Sequence, residues 1–379
     1  MGRLTVVQML PALESGGVER GTLEVGKHLV EHGHRSIVIS AGGRLVDQLR
    51  REGSEHLAWE VGRKSPLTLV RYVGRLRRYL SDQGVDILHL RSRMPAWVGY
   101  WAWKGMPEGA RPHLVTTVHG PYSVNRYGSV MTRGERVIAI SRLIVDYLHQ
   151  HYPEVSDARI RLIYRGVDPA HFPHGFRPSQ EWLASWHRDY PGLTGKRLIT
   201  LPARITRWKG QEDFLHLVAR VRSVVPDVHG LLVGETKGRK TRFLDELQQL
   251  ATRLGVADAV TFVGHRNDLR EIMAISRVVL SLSREPEAFG RVSLEALSLG
   301  VPVVAYAHGG VGEQLDCIFP QGGVPLGDWE EAANRVCACM DQALSVPDGQ
   351  PFTLARMLDA TLSVYGELAE SGDGVRATG

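Results

Sequence analysis

Two carboxylates with seven residues between them, Glu287 and Glu295, bracket a glycine in the string Glu287-Ala288-Phe289-Gly290-Arg291-Val292-Ser293-Leu294-Glu295-Ala296. Ahead of it, Arg277 to Leu282 is the apolar, β-branched run of a buried parallel strand. Behind it, Gly300 ends a helical pattern and Val301-Pro302-Val303-Val304-Ala305 reads as another strand. The order strand, loop, helix, strand puts the loop at the carboxyl edge of a parallel sheet, where open α/β sheets bind ligands. The N–H groups of Ala288, Phe289 and Gly290 would then face out of a helix N-terminus, a place for an anion or for sugar hydroxyls. Glu287 at that mouth can accept from hydroxyls, and Glu295, about two turns further on, can reach a ribose. The spacing alone equally allows Glu287 to cap its helix and Glu295 to be solvated.

A second constellation is cationic. Strand Leu198 to Ala203 runs into Arg204-Ile205-Thr206-Arg207-Trp208-Lys209-Gly210-Gln211, and Phe214, Leu217, Val218 and Val221 continue at helical spacing. Arg204 and Lys209, between a strand end and a helix start, can clamp a diphosphate and stabilise it as it leaves. In the N-terminal half, Gly16 and Gly17 precede a helix and permit close backbone approach to a ligand. Arg91 and Arg93 follow a strand ending at Leu90 and suit a phosphate or carboxylate. His119 also ends a strand, with Asn125, Tyr127 and Ser141 in its neighbourhood. The pattern Gly-x-Gly-x-x-Gly is missing after the first strand, which weighs against a nicotinamide-dependent oxidoreductase.

These residues need a frame to hold them. Runs at Leu4 to Met9, Arg35 to Ser40, Asp86 to Leu90, His113 to Val118, Arg136 to Ile140 and Arg159 to Ile163 alternate with helical patterns, which predicts a doubly wound parallel sheet. The later strands repeat the scheme. The chain of 379 residues divides into an N-terminal Rossmann-like domain over 1–175, a bridge from Pro169 to Gly195, and a C-terminal Rossmann-like domain over 196–350. A helix over 351–370 and a loose tail from Ser371 complete it. Through Tyr190 there are 26 Lys and Arg against 18 Asp and Glu, and afterwards 20 against 23, so the basic half is the N-terminal one.

Arg63 to Leu80 carries six cations among aliphatics, a basic amphipathic helix that suits anionic lipid or a solvated face. Trp97, Trp101 and Trp103 add aromatic surface beside it at near-helical spacing, with core packing the role of most of them. The basic run Lys237, Arg239, Lys240 and Arg242 reads as a solvated loop. No stretch of 18 or more apolar residues occurs, and the start reads as a strand instead of a signal peptide, so the protein is expected in the cytoplasm. Three cysteines offer no disulfide framework and no metal cluster.

Glu287-x-Phe289-Gly290 followed by Leu294-Glu295-Ala296 and Gly300-x-Pro302-Val303-Val304-Ala305 resembles the donor-site signature of the retaining family 4 glycosyltransferases. The string His89 to Trp97 resembles that of lipopolysaccharide core-type members, and Arg165-Gly166-Val167-Asp168 is similar to the family's arginine- or asparagine-Gly-Val-Asp turn. The resemblance implies the α/β GT-B architecture, two Rossmann-like doubly wound domains facing a cleft, with the last helix crossing back to the first domain. It implies that Glu287 holds the transferred sugar, Glu295 the ribose, and Arg204 and Lys209 the diphosphate. The backbone around His265 and Arg266 would read the base, His119 would contact the donor sugar, and Gly16 and Gly17 would lie near the phosphates. Arg91, Arg93, Asn125 and Tyr127 would meet the acceptor.

The expected reaction is retaining transfer of a hexose, GDP-mannose being the leading donor, to a lipopolysaccharide core or related anionic glycolipid. No cofactor or metal is implied, no nucleic acid partner is expected, and the basic helix offers peripheral contact with the cytoplasmic face of the inner membrane. The alternatives are a UDP-sugar donor with a small-metabolite acceptor, a nucleotide-sugar epimerase, and a non-catalytic sugar-nucleotide sensor. Retaining glycosidase chemistry, which pairs carboxyls about 5 Å apart, does not suit Glu287 and Glu295.

Overall fold

A computed structural model describes residues 2–235, 241–341 and 344–376, so Lys237, Arg239 and Lys240 of the basic loop lie outside the described residues. The chain splits into two compact units. One comprises Met1–Tyr164 and Ala355–Gly379, the other Arg165–Leu354.

Seven parallel strands form the first sheet: β1 Thr5–Met9, β2 Arg35–Ser40, β3 Glu55–Ala58, β4 Ile87–Leu90, β5 His113–Val118, β6 Arg136–Ala139 and β7 Ile160–Leu162, in the order β3-β2-β1-β4-β5-β6-β7. The sheet changes direction between β1 and β4, the topological switch point of a doubly wound fold. Val6, Val7, Ile37, Val38, Ile87, Leu88, Leu114 and Val115 are fully buried, as both faces are covered by helices. β3 was not legible, because Glu55-His56-Leu57-Ala58 is a short edge strand whose ends are exposed.

The second sheet has six parallel strands, β8 Arg197–Pro202, β9 Val228–Val233, β10 Val260–Gly264, β11 Val278–Ser281, β12 Val303–Tyr306 and β13 Gly323–Val324, in the order β10-β9-β8-β11-β12-β13. Here the switch point lies between β8 and β11. The two doubly wound sheets are the α/β GT-B fold expected from the sequence.

The division between units falls after Tyr164, and the Pro169–Gly195 stretch is not a free bridge. It contains the helix Gln180–Asp189, whose Trp186 is 2% exposed and packs with Leu193, Leu198, Leu231, Val233 and Ile272. Its Trp, Pro and Gly content suggested a linker, whereas the tryptophans are the packing face. The last helix runs Leu354–Arg376, through the part of the expected tail before residue 377. From Ala355 onward it clusters with the first unit. There the Tyr365 hydroxyl meets His89 Nδ1 at 2.6 Å, and Glu367 takes Arg136 and Arg161. The basic helix spans Pro66–Asp82, started by Ser65, whose Oγ accepts from Leu67 N–H, and by Pro66 at its first position.

Candidate active site

In the second unit, two loops leave the carboxyl ends of β8 and β11 side by side. Gly210 (φ +75°) makes the contact possible, since a Cβ there would stand 2.0 Å from the carbonyl oxygen of Leu282. The Arg284 N–H also donates to the Trp208 carbonyl at 2.7 Å. Lys209 thereby reaches Glu287, its Nζ 2.6 Å from Oε1, and the Ser283 hydroxyl donates to the same oxygen at 2.6 Å. Lys209 and Glu287 side chains are 12% and 23% exposed, so the pair is sheltered yet open on one side. Both donors meet Oε1, which leaves Oε2 to accept from a bound hydroxyl. The Lys209 ammonium also lies 4.1 Å from the Trp208 ring centroid.

The helix behind this pair begins later than the sequence pattern indicated. It spans Arg291–Ser298, with Gly290 as its N-cap at φ +82°, so the first-turn N–H groups outside the helical ladder are those of Gly290, Arg291, Val292 and Ser293, while Ala288 and Phe289 precede the helix. Phe289 is 3% exposed and meets the Phe352 ring edge-on, which makes it a packing residue. Val292 and Ser293 line a small cavity of about 40 Å³ with Lys209, Ser283, Glu287 and Gly290. Glu295 is 7% exposed, one turn behind Arg291 at 3.8 Å.

The loop is pinned from below. His308 Nε2 meets the Ser283 carbonyl at 2.7 Å, Gly310 N–H donates to the Glu287 carbonyl at 2.8 Å, and Gln314 Nε2 donates to the Phe289 carbonyl. Buried Asp213 accepts from Arg284 Nε at 3.0 Å, from Arg284 Nη2, and from the Tyr306 hydroxyl at 2.8 Å. Burial and this hydrogen bond push the Tyr306 phenol well above its usual range. Sequence reading missed Ser283, Asp213, Arg284, Tyr306 and Gln314, whose only signal was polarity beside buried strand ends.

Arg204 is exposed, and its guanidinium has no hydrogen-bond or ion-pair partner among the described residues. His265 and Arg266 stand apart from the Lys209–Glu287 pair, at the end of edge strand β10. His265 is exposed, while Arg266 forms a two-pronged pair with Asp268, Nε at 2.8 Å and Nη2 at 2.6 Å. Trp182 Nε1 donates to the same carboxylate at 2.8 Å. These groups line an open cavity of about 580 Å³ with His171 and Arg270.

In the first unit, Gly16 is the N-cap of the helix Gly17–Glu31, in ordinary extended backbone. His119 is half-buried after β5, its N–H donating to the Tyr122 hydroxyl at 3.3 Å. Arg93 lies 4.9 Å from the Tyr122 ring centroid and 5.2 Å from that of Tyr127, and Lys64 is 5.8 Å from the latter. Asn125 Oδ1 accepts from Gly128 N–H, so it closes a turn beside this cluster.

Arg91 departs from expectation. It is 2% exposed, donates from Nη1 to Gln8 Oε1 at 2.8 Å, and has a buried Nε without a partner. The side chain enters the core where an acceptor contact would need it at the surface. Ser141, fully buried, caps the helix Arg142–His151 and takes no part in the cluster.

A family model described as Glycosyltransferase Family 4 matches residues 15–171, and one described as Glycosyl transferases group 1 matches residues 185–340. The N-acetyl-alpha-D-glucosaminyl L-malate synthase of Bacillus anthracis is 26% identical over 80% of this chain and 79% of that protein. The D-inositol 3-phosphate glycosyltransferase of Stackebrandtia nassauensis is 36% identical over 74% of this chain and 68% of that protein. Matches to other D-inositol 3-phosphate glycosyltransferases span 43% to 66% of their length. Among solved structures, a glycosyltransferase from Rickettsia africae superposes with a TM-score of 0.83 at 28% identity, over 97% of this chain and 99% of that one. Anabaena HepE, solved with UDP-glucose, gives 0.74 at 21% identity over 99% and 100%, a likeness of fold.

Proposed function

This chain belongs to glycosyltransferase family 4, and on that premise we propose that it transfers a hexose from a nucleoside diphosphate-sugar to an acceptor carrying a phosphate or carboxylate. The observation that carries the reading is the Lys209–Glu287–Ser283 cluster beside the N-terminus of the helix Arg291–Ser298.

Lys209 keeps N–H donors beyond the one spent on Glu287, and these, with Arg204 and the helix N-terminus, would meet the diphosphate. Charge grows on the leaving diphosphate as the sugar bond breaks, so fixed donors there lower the barrier. Glu287 orients the sugar through Oε2, its other oxygen being occupied. Retention of configuration and independence from metal belong to this proposal, since the cations and helix N–H groups supply the charge stabilisation a metal would otherwise give. His265 and Arg266 offer donors, which suits the carbonyl-bearing bases guanine and uracil, so GDP-mannose and a UDP-hexose are the two donor arms.

For the acceptor, Arg93 and Lys64 over Tyr127 provide positive charge with an aromatic wall. The malate synthase and the inositol phosphate transferase are named for anionic acceptors, which supports an anionic group here. A lipopolysaccharide-type glycolipid is a second reading, favoured by the basic helix Pro66–Asp82.

Calorimetric titration in EDTA with GDP, UDP, ADP and NAD tests the donor half. Binding of GDP or UDP without metal is expected. Binding of NAD alone, or of any nucleotide only with added metal, overturns the mechanism. Turnover with inositol phosphate or malate against a phosphorylated glycolipid then separates the acceptors.

A further inference from the structure

Between Arg63 and Ser81 the chain carries Arg63, Lys64, Arg71, Arg75, Arg77 and Arg78 and no acidic residue. The structure shows how the helix Pro66–Asp82 distributes them. Tyr72, Leu76 and Leu80 are buried on one side, while the opposite side presents Leu67, Val70, Arg71, Gly74 and Arg78. Leu67 is 75% exposed and Val70 81%, higher than any other large apolar side chain among the described residues. Nothing lies within 4 Å of where a Cβ on Gly74 would stand, so the stripe is open along its length. Two aliphatics at the first turns of a helix, flanked by arginines, form the face that inserts at a membrane interface: the side chains enter the acyl boundary and the guanidiniums meet phosphates.

We propose that this face docks the protein on an anionic lipid bilayer. Charge complementarity selects that occupant. A second copy of the chain would set arginines against arginines, and a nucleic acid would leave Leu67 and Val70 without an apolar partner. The stripe continues toward the acceptor cluster, because Lys64, two residues before the helix, lies 5.8 Å from the Tyr127 ring that Arg93 also faces. A lipid-linked anionic acceptor would therefore arrive beside Arg93 without leaving the surface. No helix among the described residues is long and apolar enough to span a bilayer.

The test is co-sedimentation of the full chain, without nucleotide or acceptor, with vesicles of phosphatidylcholine alone and of an equimolar phosphatidylcholine–phosphatidylglycerol mixture. Binding to the anionic vesicles is expected to exceed that to the neutral ones by about tenfold or more and to weaken with salt. L67E/V70E and R71E/R78E should each lower it by a similar factor while retaining the wild-type unfolding temperature and nucleotide diphosphate affinity. Equal binding by wild type and both variants, no binding to anionic vesicles, or a preference for duplex DNA over them overturns the proposal. Because donor binding is measured separately, failure here leaves the transferase reading standing, and the reverse holds as well.

Discussion

Asp213 is the carboxylate whose replacement tests whether the donor loops are held from behind. It is 2% exposed and accepts three hydrogen bonds, two from Arg284 and one from Tyr306. Asparagine keeps one acceptor oxygen and turns the other into an amide that faces a donor. Hydrogen bonds to a charged group are worth about 1.5–3 kcal/mol each. The Arg284 side chain is 52% exposed, so its share is screened to about 1 kcal/mol. The Tyr306 bond is buried and counts in full, so D213N should cost about 3 kcal/mol. For a domain of this size that lowers Tm by about 6–12 °C. Y306F removes the buried bond and leaves the ion pair, so it should cost about 2 kcal/mol, about two-thirds as much.

The functional consequence follows from the chain of contacts. Arg284 N–H holds the Trp208 carbonyl, and Trp208 precedes Lys209. Loosening Arg284 lets Lys209 leave Glu287, and kcat/KM at a temperature where the variant stays folded should fall about tenfold in D213N, the cost of a small misplacement. Scanning fluorimetry and steady-state kinetics on the same preparations supply both readouts. A destabilised D213N that turns over like wild type would refute the link to Lys209, and a D213N that melts with wild type would refute the hydrogen-bond reckoning itself.

K209M removes the ammonium beside the diphosphate and should lower kcat by about 10²–10³, with E287Q retaining nucleotide diphosphate affinity within a few-fold while losing transfer; competent transfer by either variant counts against the cluster. R93A should raise KM for an anionic acceptor and leave donor affinity unchanged, so an unchanged acceptor KM removes Arg93 from that role. Arg136 and Arg161 hold the Glu367 carboxyl down to about 2 from its ordinary 4.5. A lowered folded-state pKa gives stability that is complete above about 4.5 and lost as pH falls toward 2. The shift corresponds to about 3.4 kcal/mol before screening, but the side chain is 35% exposed, so about 1–2 kcal/mol is expected. Denaturant unfolding of wild type and E367Q should show that difference at neutral pH and a shrinking one below pH 4; a gap that does not change with pH would refute it.

Both doubly wound sheets were legible because parallel strands buried on two faces write themselves as apolar runs, and Val228–Val233 or Val303–Tyr306 has no other reading. β3 escaped because an edge strand with exposed ends carries no such run. The helix Gln180–Asp189 escaped for the opposite reason, its packing face being made of Trp182 and Trp186 amid prolines and glycines. At the site, the pairing of Lys209 with Glu287 was not visible, since 78 residues separate them and their loops are brought together by the close approach at Gly210 and by the Arg284 N–H on the Trp208 carbonyl.

The two arginines after β4 show where reading by position stops. Both follow a strand's carboxyl end, and both carry the charge an anionic acceptor needs. Arg91 continues the strand's path and turns inward to Gln8, whereas Arg93, two residues on, is the first residue of the helix Arg93–Lys104 and stands between two tyrosine rings. Strand alternation and the helix start together decide the direction of each side chain. Hence the charge at a strand end identifies a candidate, and the backbone at that residue decides whether it meets a ligand or the core.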